Sequence, residues 1–223
     1  MGTTNISGYL TPKHEQTVDE AAHDGILRQT DFELFLKLVK ESAPRILEPY
    51  FHIPNIEDSA NDVELNTQWI YRERVYCYEL YHQLRCSMTK GHAFDRSLYL
   101  NAELDKAGTV YSQHIGSLKP DFVLHRPGEG NHNIAVTEVK PITAPIKEIE
   151  GDLLKLKIFL DKMGYFGAVL LVYGQKNDKI DAIKELCQTH YGNYWLPRFK
   201  LLWHSNYGQL VNEFQFGMDS SKS

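Results

Sequence analysis

Asp121, Glu138 and Lys140 stand in the segment PDFVLHRPGEGNHNIAVTEVK, residues 120–140, and bring two carboxylates and an amine into a stretch otherwise built of strand-forming residues. Charges on such a strand are costly to bury unless something pairs with them. Pro127, Gly128 and Gly130 supply turn geometry between a strand at 121–126 and another at 133–140. A hairpin symmetric about Glu129 and Gly130 sets Asp121 across from Glu138, with Cβ atoms about 4.5–5.5 Å apart. Period two then places Lys140 on one face with Glu138, Val136 and Ile134. Two carboxylates at that separation repel unless a proton or a cation lies between them. Oxygen donors of this kind suit Mg²⁺ or Mn²⁺, with water and substrate phosphate completing the shell. A neighbouring lysine orients or helps deprotonate a water and counters charge developing on a phosphoryl oxygen. The chemistry is phosphodiester hydrolysis.

The elements that must hold these residues are legible from periodicity. Upstream, TQWIYRERVYCYELYHQLRCSM reads as a helix from about Thr67 to Met88, with Ile70, Cys77, Leu80, Tyr81, Leu84 and Met88 on one face. Glu73 falls inside that cluster and Glu79 opposite it, so Glu73 faces inward. SLYLNAELD alternates as a strand, with Leu98, Leu100, Ala102 and Leu104 on one side. APIKEIEGDLLKLKIFLDKMG carries a helical stripe of Ile149, Leu153, Leu156, Leu160 and Met163, closed by Gly164. FGAVLLVYG is a continuous apolar run, expected of a strand covered on both faces, and DKIDAIKELCQTH is a further helix, followed by an extended segment in YWLPRFKLLWHSN. The order is helix, three strands, helix, strand, helix, an α/β domain with a mixed sheet.

Pro120-Asp121, 16 intervening residues and Glu138-Val139-Lys140, set in that order of elements, resemble the PD-(D/E)xK nuclease superfamily with its restriction-endonuclease-like fold, over about residues 67–175. The resemblance implies that Asp121, Glu138 and Val139 hold a divalent metal, Mg²⁺ or Mn²⁺, and that Lys140 serves the attacking water. Many members add a glutamate from the first core helix, here Glu73. A polar residue of the helix after the motif often contributes as well: Lys157, at the edge of the apolar stripe, is preferred, while Lys155 points away. The Gln-x-x-x-Tyr motif of exonuclease-type relatives is absent from that helix. The implied substrate is DNA rather than RNA, and a homodimer suits an enzyme that cuts two strands. A Glu-x-Lys triplet alone arises about once by chance in a chain of this composition. Pro-Asp also occurs once, upstream at hairpin distance, and the conjunction carries the assignment.

At 223 residues the chain fits one domain with a real core, or one domain plus an arm. Thr30-Asp31-Phe32-Glu33 reads as a capping box opening a helix through Glu41, stopped by Pro44, with loosely ordered residues before it. Residues 1–66 are expected as an acidic, partly helical arm and residues 67–223 as the nuclease-like domain. Net charge is −5, with 5 Lys/Arg against 12 Asp/Glu in residues 1–70, so the remainder is near neutral. No apolar run spans a membrane, and neither a signal peptide nor a myristoylation signal opens the chain, which points to a cytoplasmic protein without a membrane partner. Cys77, Cys86 and Cys187 form no Cys-x-x-Cys pair, and the ten histidines show no zinc spacing. No hydrolase-elbow, P-loop or dinucleotide motif occurs. A second reading is a binding module of the same fold without turnover, favoured by the scarcity of Lys/Arg clusters that phosphate contacts need.

Overall fold

The computed structural model describes residues 18–54, 69–89, 94, 97–103, 118–128, 132–175 and 178–216, apart from the side chains of 18–21 and 192–196. Helix α1 (Val18–Ser42) leads through a 3₁₀ turn at Ala43–Arg45 to a short α2 (Glu48–Phe51). Strands β1 (Ile53–Pro54) and β2 (Trp69–Ile70) pair as an antiparallel ribbon before α3 (Glu73–Thr89). Then follow β3 (Tyr99–Ala102), β4 (Phe122–His125), β5 (Asn133–Pro141), α4 (Ile146–Lys162), β6 (Gly167–Tyr173), α5 (Ile180–Trp195), β7 (Phe199–His204) and β8 (Asn212–Phe214).

The sheet runs in the order β3-β4-β5-β6-β7-β8, antiparallel across β3-β4-β5, parallel across β5-β6-β7 and antiparallel again at β8. Parallel neighbours need crossover connections, and α4 and α5 supply them. The protein is therefore mixed α/β. One apolar layer sets α1 and α3 against Val169, Leu171 and Tyr173 of β6. The other sets α4 and α5 against Ala168, Leu170 and Val172. Every residue of β6 is buried, because both of its faces are covered. The α4 stripe is as the periodicity predicts, with Ile149, Leu153, Leu156, Leu160 and Met163 all buried, and Gly164 takes φ +67 just past the helix end. The hairpin register is as predicted over Phe122–Leu124, where Phe122 faces Thr137, Val123 faces Val136 and Leu124 faces Ala135, and then shifts by one residue at a bulge that sets His125 against Asn133.

Several expectations are corrected. The first helix does not open at Thr30; it begins at Val18, and the Thr30 hydroxyl donates to the Ile26 carbonyl inside the helix instead of capping it. Arg28 explains the upstream turn, since its guanidinium donates to the carbonyls of Asn133 and Gly164 and lies over the Phe166 ring. Tertiary contacts thus extend a helix that the local signal would start later. Nor is the N-terminal third an arm set apart at residue 66. Phe32, Phe35, Leu36 and Val39 of α1 and Phe51 of α2 are buried in the same cluster as Leu80, Phe122 and Val139. The helix around Glu73 starts at Glu73, not Thr67, because Trp69 and Ile70 pair with Pro54 and Ile53; Ile70 is exposed rather than on a buried face. Strand β8 was not anticipated. Residues 1–17, the acidic stretch 55–66, Thr67, Leu104 and the hairpin tip 129–131 lie outside the described residues.

The docking of α1 on the sheet has a direct check. A Cβ on Gly167 would stand 2.4 Å from the Phe32 ring, which is itself wedged edge-on against Phe166. Gly167→Ala is expected to cost about 1–3 kcal/mol by overpacking, read as a lower urea midpoint at unchanged m-value. An unchanged midpoint would mean that α1 is held only loosely.

Candidate active site

Asp121, Glu138 and Lys140 share the sheet face covered by α4, the face of Val123 and Val136. Pro120 and Asp121 immediately precede β4, so the ladder that pairs Phe122 with Thr137 carries Asp121 up to the end of β5. The Val139 N–H donates to Asp121 Oδ2 at 2.7 Å, which fixes this carboxylate beside Glu138. Glu138 is 1% exposed, and its Oε1 has no hydrogen-bond partner among the described residues. Lys140 Nζ reaches Glu73 Oε2 at 2.8 Å, from the first turn of α3, and Asp152 Oδ2 at 3.3 Å. Lys155 Nζ stands 2.8 Å from Glu138 Oε2 and 3.1 Å from Asp152 Oδ1. Residues far apart in the chain thus form one alternating string of charge, Glu73, Lys140, Asp152, Lys155, Glu138, with Asp121 alongside.

The structure reverses the preference between the two helix lysines. Lys157 donates to the His190 carbonyl across the α4–α5 contact and belongs to helix packing, away from the acids. Lys155, read from the sequence as pointing away, is the one in the cluster. The residue that sequence reasoning missed is Asp152, 6% exposed between both lysines. Its signal was present: a carboxylate at the margin of the apolar stripe, three residues before Lys155. His125, on the strand of Asp121, bonds instead to Asn101 of β3.

Four carboxylates and two ammonium groups leave a formal charge of −2 in a largely buried space. The electrostatics follow. Burial pushes the Asp121 carboxyl up to about 6; the bond from Val139 opposes the rise and Glu73 adds to it. Burial, then Asp121, push Glu138 well above the usual glutamate range, with Lys155 opposing. For Lys140, burial favours the neutral amine, but the bond to Glu73 and the charges of Asp152, Glu73 and Asp121 prevail and hold it as an ammonium. Lys155 is likewise raised, Glu138 and Asp152 overcoming burial.

The donors fit a small divalent cation in two respects. A charge of −2 is the complement of such an ion, and the buried, unpartnered Glu138 Oε1 is a free oxygen beside Asp121. Among the described residues, however, no three His, Cys, Asp or Glu side chains are grouped as a ready-made cage. Asp121 and Glu138, with backbone oxygen at Val139, would hold the ion together with water and substrate.

The unequal roles of the lysines can be measured on stability alone. Lys155→Met strands Glu138 in the interior and is expected to cost about 2–4 kcal/mol in chemical denaturation, against under about 1 kcal/mol for Lys157→Met. Equal losses would contradict the placement.

No protein-family model, no curated protein and no solved structure matches this chain. Among the described residues, no helix is long and apolar enough to cross a membrane.

Proposed function

We propose that the chain is a divalent-metal-dependent nuclease of the PD-(D/E)xK type, hydrolysing phosphodiester bonds in DNA. The observation that carries this reading is the meeting of Glu73, Asp121, Glu138 and Lys140, from one helix and two strands, at one end of the sheet with an unsatisfied carboxylate oxygen among them. The succession of α3, the β3-β4-β5 meander, α4 and β6, with β6 parallel to β5, supports a restriction-endonuclease-like core.

Bound Mg²⁺ or Mn²⁺ would supply Lewis acidity toward the phosphoryl oxygen and acidify a water. Asp121 and Glu138 would hold the ion. Lys140, held as an ammonium by Glu73 and Asp152, acts as a fixed positive charge that orients the water and counters charge on the phosphoryl oxygens; it is not available as a proton acceptor in this arrangement. Asp152 bridges Lys140 and Lys155, one carboxylate oxygen to each, and orients both. Cutting both strands of a duplex would call for a homodimer.

The test is cleavage of supercoiled plasmid and of single-stranded DNA with Mg²⁺ or Mn²⁺, with EDTA and Asp121→Ala as controls. Metal-dependent cutting that Asp121→Ala abolishes supports the enzyme. Inertness on both substrates with both metals rejects it. A binding module of the same fold is the second reading, favoured by one feature: both lysines at the site are already engaged by acids, as in a purely structural ion-pair network. Mn²⁺ binding by calorimetry separates the two, since the module requires none.

A further inference from the structure

A rim of aromatic rings stands at the same end of the sheet as Lys140. Val172 and Tyr173 of β6 lie beside Lys140 and Pro141 of β5, and Tyr173 in turn neighbours His204 of β7. Tyr173 stacks on Tyr76 with ring centres 4.0 Å apart, and Phe51 packs edge-on to both, which makes a buried aromatic floor. Three further rings border this floor, Trp69 and Tyr71 half-buried and Tyr207 exposed. Trp69 stacks on His52 at 3.8 Å and has no second aromatic partner among the described residues. Tyr71 stands edge-on to Phe51 and Tyr173. Tyr207, 36% exposed, stands edge-on to Phe51.

The rim is held in place. The Tyr71 hydroxyl accepts the Gln175 N–H at 3.2 Å, and a Cβ on Gly174, where φ is +122, would come within 3.2 Å of the Tyr71 ring. The β1–β2 ribbon fixes Trp69 in the same way, through its pairing with Pro54. The segment Trp69–Arg74 then leads directly from the rim to the candidate site: Tyr71 is followed by exposed Arg72, then Glu73, which contacts Lys140, then exposed Arg74. Aromatic rings that ride on a rigid support, interleaved with arginines, suit unpaired bases stacked on the rings with phosphates on the guanidiniums.

We infer that this rim is a stacking platform for unpaired nucleobases, so that the substrate is single-stranded nucleic acid or the splayed end of a duplex. The inference rests on the nuclease reading and names its substrate class. Charge decides between single strand and duplex. Residues 71–223, with 19 Lys/Arg against 17 Asp/Glu, lack the basic excess that the many phosphate contacts of a duplex call for, whereas stacking draws on the π-face that every base carries. In a duplex those faces are already stacked on one another.

Fluorescence anisotropy of the wild-type protein in EDTA, which blocks metal-dependent cutting, tests this with three labelled probes of equal length, about twelve nucleotides each. They are oligothymidylate, an abasic strand with the same phosphates, and a blunt duplex. Oligothymidylate is expected to bind about tenfold or more tighter than either other probe. Trp69→Ala and, separately, Tyr207→Ala are expected to remove about tenfold of that affinity without changing abasic-strand binding, each variant being shown folded by circular dichroism. Equal binding of oligothymidylate and abasic strand overturns the proposal, as does preference for the duplex. Binding of none of the three also overturns it and assigns the rim to a protein partner. Plasmid cutting with Mg²⁺ but without base-dependent binding rejects the platform and leaves the nuclease standing. Base-dependent binding without cleavage by either metal does the reverse.

Discussion

Lys140→Ala is expected to lower metal-dependent cleavage by about 10²–10³-fold while leaving Mn²⁺ binding largely in place. The distinction follows from what the residue offers. Asp121 and Glu138 present oxygen to a cation, whereas Lys140 presents positive charge, 2.8 Å from Glu73 and 3.3 Å from Asp152. Removing it should spare the ligands and remove the fixed charge that faces the developing phosphoryl oxyanion. Asp121→Ala should instead abolish both binding and cleavage. Lys140→Arg keeps the charge but not the compact ammonium geometry, and partial rescue is expected. A Lys140→Ala enzyme that cuts within a few-fold of wild type would remove Lys140 from the mechanism. Loss of Mn²⁺ binding together with cleavage would make its role structural.

The second large effect is on stability and carries a sign. Burial raises Asp121 from its ordinary value of 3.8 to about 6 in the folded chain. A folded-state value raised in this way favours folding fully below the ordinary value, and that contribution is lost as pH rises through about 6. Above that pH the ionised carboxylate is a burden that the fold carries. Asp121→Asn removes the burden while its amide oxygen still accepts the Val139 N–H. In EDTA at neutral pH the variant should therefore be more stable than wild type by up to about 3 kcal/mol. The difference should shrink as pH falls from about 6 and vanish near the ordinary aspartate value. Added Mn²⁺ should reverse the order, since it stabilises only the chain that binds it. Urea melts across pH, with and without metal, read both limbs. A variant less stable than wild type at neutral pH in EDTA would show that Asp121 is a structural ion, and no reversal with Mn²⁺ would show that it holds no metal.

Much of this arrangement is written in local sequence. The turn residues Pro127 and Gly128 and the two-residue period of the strands fix a register in which Phe122 faces Thr137, and that register alone sets Asp121 at the level of Glu138. The α4 stripe and the uninterrupted apolar run of β6 follow from the same periodic logic, because burial on one face or on two leaves different patterns. Trp69 and Ile70 read as helical because a helical pattern continues smoothly across them. Their pairing with Ile53 and Pro54 is a contact between distant segments that periodicity does not register. The capping box at Thr30 failed for a similar reason: Arg28 finds its partners at Asn133 and Gly164, more than a hundred residues away.

The choice between Lys155 and Lys157 shows where local information ends. At 100° per residue Lys157 lies about 80° and Lys155 about 120° from the centre of the α4 apolar stripe, on opposite flanks. Periodicity therefore ranks Lys157 nearer the buried face. Only the packing of α4 between the end of β5 and α5 reverses that order, turning Lys155 toward Glu138 and Lys157 toward His190. The sequence by itself determined β4, β5 and β6, the register of the β4–β5 hairpin and the placing of Asp121, Glu138 and Lys140 on one sheet face, because these depend on alternation and turn geometry within short segments. The tertiary structure alone decided that Asp152 and Lys155 complete the cluster and that α1 belongs to the core, because each depends on which flank of a helix meets which distant surface.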